Sequence, residues 1–125
     1  MNNYALITGA SGGIGYYFAH ELAKKKRNLL LVARSENKLK ELKDQLVNRY
    51  QIHCEYVVMD LSVPGAAQQL FECCTASNYE IDILINNAGY GLFGYFEKLD
   101  VAEVNNMMQL NMNVMVEMAY YFLHN

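Results

Sequence analysis

Four apolar runs fit buried strands: residues 4–7, 29–33, 54–59 and 81–85. The second, Leu29-Leu30-Leu31-Val32-Ala33, is continuous rather than alternating, as expected for a parallel strand buried on both faces. Between the runs, apolar positions take helical spacing. Ile14, Phe18, Ala19 and Leu22 predict a first helix ending near Lys26. Leu39, Leu42, Leu46 and Tyr50 predict a second, with Ser35 as its N-cap and a solvated face of Lys38, Lys40, Glu41, Lys43 and Asp44. Ala67, Leu70, Phe71 and Cys74 predict a third, with Pro64 in its first turn. Asp100 and Glu103 resemble a capping box ahead of a last helix that runs to near the end of the chain.

Strand and helix alternate throughout, which predicts an α/β fold with a doubly wound parallel sheet, as one domain over residues 1–125. Right-handed crossovers, with a glycine turn after the first strand, predict the order 3-2-1-4. The last helix stands apart. Val104, Met107, Met108, Leu110, Met112, Val114, Met115, Val116, Met118 and residues 120–123 leave it little polar face. A helix apolar nearly all round needs burial on most sides, and so small a domain cannot supply it. More chain or a second copy should cover this helix and the fourth strand, so the chain is expected to form a homo-oligomer.

The candidate chemistry begins at Thr8-Gly9-Ala10-Ser11-Gly12-Gly13-Ile14-Gly15. Strand, glycine turn and helix together present backbone N–H groups to a phosphate at a helix N-terminus. Gly9 allows a sharp turn off the strand, Gly13 a close approach by a pyrophosphate, and Gly15 close packing of helix on sheet. The spacing is G-x-x-x-G-x-G and departs from the usual G-x-G-x-x-G. The plain alternative is a glycine-rich turn without a ligand.

Composition narrows the partners. The chain has 125 residues, 53% hydrophobic, with a formal net charge of −3. Neither nucleic acid nor an anionic membrane suits that balance. The run Lys24-Lys25-Lys26-Arg27 falls at a helix end, where it complements the dipole. Cys54, Cys73 and Cys74 make no C-x-x-C, and His20, His53 and His124 are scattered, so neither a metal site nor a disulfide is expected. This usage fits a reducing cytosol. Met1-Asn2-Asn3 leads straight into the first strand without a signal peptide, and no apolar run approaches the ~18 residues of a membrane span. A cytoplasmic location is expected.

Four motifs in order resemble the short-chain dehydrogenase/reductase family: residues 8–15, the Asp60-Leu61 pair, Asn86-Asn87-Ala88-Gly89, and Asn111. The resemblance covers the chain but only the first half of a family member, and it implies a Rossmann-like, partial sheet. It implies cofactor contacts at Gly9, Ser11, Gly13, Ile14 and Gly15, with Asp60 and Leu61 flanking adenine and Asp60 accepting from its amino group. Asn87, Ala88 and Gly89 would follow the adenosine ribose, while Asn86 ties strands together. The plain alternative for Asp60 is a helix cap or a turn. The resemblance implies that Asn111 is the supporting catalytic residue, holding a water near the family's lysine; without it Asn111 could equally be a solvated or helix-kinking residue, and Asn113 fits the spacing less well.

NAD-preferring members need a carboxylate at the end of the second strand. Here Ala33-Arg34-Ser35 has none before Glu36, so Arg34 and Ser35 are expected to grip a 2′-phosphate and the cofactor to be NADP(H). The alternative is a surface Arg that happens to follow a strand. The implied activity is hydride transfer between a nicotinamide dinucleotide and a small-molecule carbonyl or alcohol. The family's catalytic acid is a Tyr with a Lys four residues later, aided by a Ser upstream. None of the ten tyrosines has Lys at that offset, so the chain as given is expected to have no turnover. A rival reading is a non-catalytic nucleotide-binding or regulatory module. A third is a doubly wound domain with no cofactor. Residues 90–99, rich in glycine and aromatics, would either line a substrate pocket or pack onto the domain.

Overall fold

The structure, a computed structural model, describes residues 3–87, 100–108 and 113–123. The elements are β1 (Asn3–Thr8), α1 (Gly13–Lys24), β2 (Leu29–Ala33), α2 (Glu36–Tyr50), β3 (Cys54–Val58), α3 (Ala66–Ala76), β4 (Glu80–Ile85), α4 (Val101–Met108) and α5 (Val114–Leu123). The strands form a parallel sheet in the order β3-β2-β1-β4. The predicted order is therefore correct, and each predicted strand end lies within a residue of the observed one.

Successive residues of β1 and β2 point to opposite faces, so the apolar runs build two cores. Ala5, Ile7, Leu29 and Leu31 join Ala19, Ala23, Leu39, Leu42 and Leu46 beneath α1 and α2. Leu6, Leu30 and Val32 join Leu70, Cys74, Val114, Met118 and Phe122 beneath α3 and α5. Fully burying a Leu or Ile contributes about 1.5–3 kcal/mol, and Leu6, Ile7, Leu29, Leu30 and Leu31 are all fully buried. These strand centres anchor the sheet.

Ile14 and Phe18 take helical spacing but lie outside the core, 65% and 38% exposed. Helix α1 buries Gly15, Ala19 and Ala23 instead, small residues that let it lie close on the sheet. Pro64 is not in the first turn of α3. It precedes Gly65, whose φ of 86° and ψ of −1° suit the third residue of a type II turn, and Ala66 N–H closes that turn on Val63 O at 3.1 Å. Helix α3 begins only after it. Ser35 takes the N-cap position of α2, but its hydroxyl makes no capping bond. Phe71 is half-buried, packed beside Tyr121 and Phe122.

Asp100 caps the start of the last helical region, its Oδ1 accepting from Ala102 N–H at 2.9 Å, which is the Asp100 half of the expected box. Residues 109–112, between α4 and α5, and the stretch 90–99 lie outside the described residues. Helix α5 buries Val114, Met118 and Phe122 and exposes Val116 and Leu123. No helix among the described residues is long and apolar enough to cross a membrane.

Candidate functional site

All four strands are parallel, so their carboxyl ends meet at one end of the sheet. Residues 9–15 follow β1, Arg34 and Ser35 follow β2, Asp60 and Leu61 follow β3, and Asn86 and Asn87 follow β4. The chain runs outward from β1 to β3 on one side and returns to β4 on the other, so β1 and β4 flank the switch point where open α/β sheets bind ligands. The sequence-predicted residues that fall in the described segments are thus brought to that end. Ala88, Gly89 and Asn111 lie outside them.

The glycine turn is built by backbone geometry. Gly9 and Gly13 have φ of 63° and 58°, the left-handed region that costs other residues about 1–2 kcal/mol. Gly15 lies against Gly9: a Cβ there would sit 2.2 Å from Gly9 O. In front of Gly12 and Gly13 an added Cβ meets nothing within 4 Å. Helix α1 therefore begins beside open space, and its N-cap, Gly12, supplies no side-chain capping bond. Ala10 N–H donates to Val32 O at 3.4 Å, which ties the turn to β2.

The strand tie expected of Asn86 is made by Asn87 instead. Asn87 donates its backbone N–H to Thr8 Oγ1 at 2.9 Å and its Nδ2 donates to Gly9 O at 3.4 Å. Thr8, fully buried, donates in turn to Ile85 O at 3.5 Å. Asn87 is therefore the residue that ties β4 to β1, while Asn86 Nδ2 donates to Met115 O on α5 at 3.0 Å. Thr8 at a strand end is a hydroxyl that needs a partner once buried, but its position does not tell which asparagine supplies it.

At the β2–β3 corner, Met59 N–H donates to Ala33 O at 2.9 Å and holds the two loops together. Arg34 is exposed, Ser35 half-buried and Leu61 buried. Asp60 Oδ1 accepts from Ser62 Oγ at 2.6 Å and from Ser62 N–H at 3.0 Å. The Ser62 hydroxyl holds the Asp60 carboxyl below its ordinary range; burial, next in size, opposes it, and the Ser62 N–H and the Arg34 charge add to the lowering. Asp60 is thus an anion, an acceptor only. Ser62 was not singled out from the sequence; an Asp with Ser two residues on is the signal that could have found it.

Comparison with known proteins places this arrangement. The short chain dehydrogenase family profile matches residues 3–125. A very-long-chain 3-oxoacyl-CoA reductase from Candida glabrata is 34% identical over 113 residues, covering 87% of this chain and 32% of the reductase. A short-chain dehydrogenase from Sphingobium yanoikuyae, solved in complex with NADPH, superposes with a TM-score of 0.88 at 30% identity, covering 98% of this chain and 47% of that one. A metagenomic short-chain oxidoreductase in complex with NADP gives a TM-score of 0.91 at 28% identity, covering 98% and 56%. The chain thus spans about a third of the reductase and about half of the two solved proteins. With matching family profile, sheet order and strand-end motifs, the chain belongs to the short chain dehydrogenase family.

Proposed function

We propose that this chain is the NADP(H)-binding half of an oxidoreductase that moves a hydride between the nicotinamide and a carbonyl or alcohol substrate. The observation that carries the cofactor choice is the β2 end, where exposed Arg34 stands and no acid precedes Glu36. A carboxylate there would repel a 2′-phosphate; a guanidinium matches its oxygens. The residues present fit the group. Open space at Gly12 and Gly13 leaves room for a pyrophosphate before α1, whose N-terminus favours negative charge. Asp60 and Leu61 would hold the adenine, and Asn87, Ala88 and Gly89 would follow its ribose. Asn87 has its Nδ2 engaged on Gly9, so its Oδ1 is the atom to meet a ribose hydroxyl. Asn111 would support catalysis by holding a water.

The cofactor supplies the hydride; the chain's share is binding and orientation. Proton transfer needs a Tyr beside a Lys, and no tyrosine here has Lys four residues later. The same observation favours the second reading, a nucleotide-binding module with no turnover of its own. A cytoplasmic location and self-association complete the proposal.

Calorimetry with 2′,5′-ADP and 5′-ADP tests the cofactor choice. A charge-assisted hydrogen bond contributes about 1.5–3 kcal/mol, and about 1.4 kcal/mol is tenfold in affinity. The 2′-phosphorylated ligand is expected to bind roughly ten- to a hundredfold more tightly, before solvent screening reduces the margin. Arg34→Ala should remove the margin and leave 5′-ADP nearly unchanged. Equal losses for both ligands would assign Arg34 to holding the loop and overturn its phosphate role.

A further inference from the structure

We propose that Ser62 is a positioning residue for recognition of the adenine base, holding the Asp60 carboxylate by one oxygen and so presenting the other to the base's amino group. This rests on reading Asp60 as the adenine contact.

The segment that carries Asp60 is fixed at the backbone. Met59 N–H is bound to Ala33 O at 2.9 Å on one side of it, and Val63 N–H donates to Asp60 O at 3.3 Å on the other. Leu61, between them, is only 3% exposed and packs in the core beneath α3 and α5. The Asp60 side chain itself is exposed. It is free to take several rotamers unless something holds it, and the partner the structure provides is Ser62. Hydroxyl and N–H of that residue both converge on Oδ1, at 2.6 Å and 3.0 Å. Among the described residues both hydrogen bonds to the carboxylate fall on Oδ1.

A clamped carboxylate discriminates where a loose one does not. With Oδ1 occupied, Oδ2 is a single acceptor in a defined place. Adenine offers a donor there in its 6-amino group; hypoxanthine offers a carbonyl oxygen, which a carboxylate repels.

The test is the ratio of affinities of the 125-residue chain for NADP and for its hypoxanthine analogue, by calorimetry, across four proteins. Wild type should prefer adenine by about tenfold or more, the worth of one charge-assisted hydrogen bond. Ser62→Ala should lower that ratio at least threefold. Ser62→Thr, which keeps the hydroxyl, should restore it. A ratio unmoved by Ser62→Ala overturns the proposal, since a residue that only shapes the turn would weaken both ligands alike. Asp60→Asn separates the two layers, because an amide can present either a donor or an acceptor. A collapsed ratio in Asp60→Asn with an intact ratio in Ser62→Ala defeats the role of Ser62 alone. An intact ratio in Asp60→Asn defeats the adenine contact itself, and the proposal with it.

Discussion

Asn87 donates its backbone N–H to Thr8 Oγ1 at 2.9 Å, a bond that spans 79 positions of sequence and closes the switch point between β1 and β4. Its side-chain amide reaches the neighbouring Gly9 O at 3.4 Å. The same carbonyl lies 2.2 Å from where a Cβ on Gly15 would stand, and Asn87 Nδ2 lies 2.8 Å from that point. Strand ends, glycine turn and the first turn of α1 therefore share one contact. The backbone of the glycine turn is held by the residue that follows β4.

A substitution at that contact should be felt at once. Ala in place of Gly in a helix is worth about 1 kcal/mol in backbone entropy. Forcing a methyl group into packed surroundings costs about 1–3 kcal/mol. Here the obstacle is a backbone carbonyl, so the clash wins. Gly15→Ala is expected to lower stability by about 1–2 kcal/mol and to abolish nucleotide binding. Gly12→Ala, in extended backbone at φ −170° with open space in front, should leave stability within about 0.5 kcal/mol yet weaken the same ligand. Urea denaturation beside calorimetry separates the two effects. Equal stability losses would contradict the account of the turn.

The opposite flank of α1 carries a pH dependence. His20 Nδ1 lies 3.2 Å from Tyr50 Oη, its ring packs on Tyr16, and among the described residues its buried Nε2 has no hydrogen-bond partner. Burial first, then the charges of Arg49 and Lys24, push its pKa below the ordinary 6.5, with Glu21 opposing. Above pH 6.5 neither folded nor unfolded chain holds this proton. Below it the unfolded chain takes up a proton that the folded one refuses, so stability falls as pH falls from 6.5 toward the folded value. The urea midpoint should drop between pH 7.5 and 5.5 (about one unit either side of the ordinary histidine range), and His20→Phe should shrink that drop. An undiminished drop in the variant would assign the effect to other groups.

The two sheet edges are unlike. Along β3, Lys43 pairs with Glu55 at 3.5 Å and Tyr56 Oη donates to Glu36 Oε2 at 3.3 Å, so polar groups blunt that edge. Strand β4 is bonded to β1 alone among the described strands and reads Ile83-Leu84-Ile85 toward its end. Nearby α5 leaves Val116 69% and Leu123 80% exposed. A second copy can cover both features around a two-fold axis. Sedimentation should therefore show dimers of the 125-residue chain at micromolar concentration, and Val116→Glu with Leu123→Glu should shift it to monomer. A wild-type monomer throughout that range would contradict this surface.

Much of this architecture could be read from residue pattern. Continuous runs such as 29–33 announce strands buried on both faces, and glycine after β1 with Asp after β3 marks the ligand end. What could not be read depends on partners distant in the chain. Nothing local tells that Asn87 rather than Asn86 turns toward β1, because Thr8 lies 79 positions away. The apolar spacing of Ile14 and Phe18 marks a helix but not its buried face, which the small residues Gly15, Ala19 and Ala23 set. Pro64 suits a helix start and a type II turn equally; the Gly65 that follows decides for the turn. Ala88, Gly89 and Asn111 lie outside the described residues, so their roles rest on the sequence resemblance.

The central claim is that the carboxyl end of the sheet binds the adenosine half of NADP, and amide-resolved NMR titration with 2′,5′-ADP tests it most directly. Shifts are expected at residues 9–15, at Arg34 and Ser35, at Asp60 and Leu61, and at Asn87, saturating together. Asn28, His53 and Glu80, at the opposite end of the same strands, should stay still. Perturbation confined to that opposite end, or no saturable shift at the glycine turn, would contradict the account.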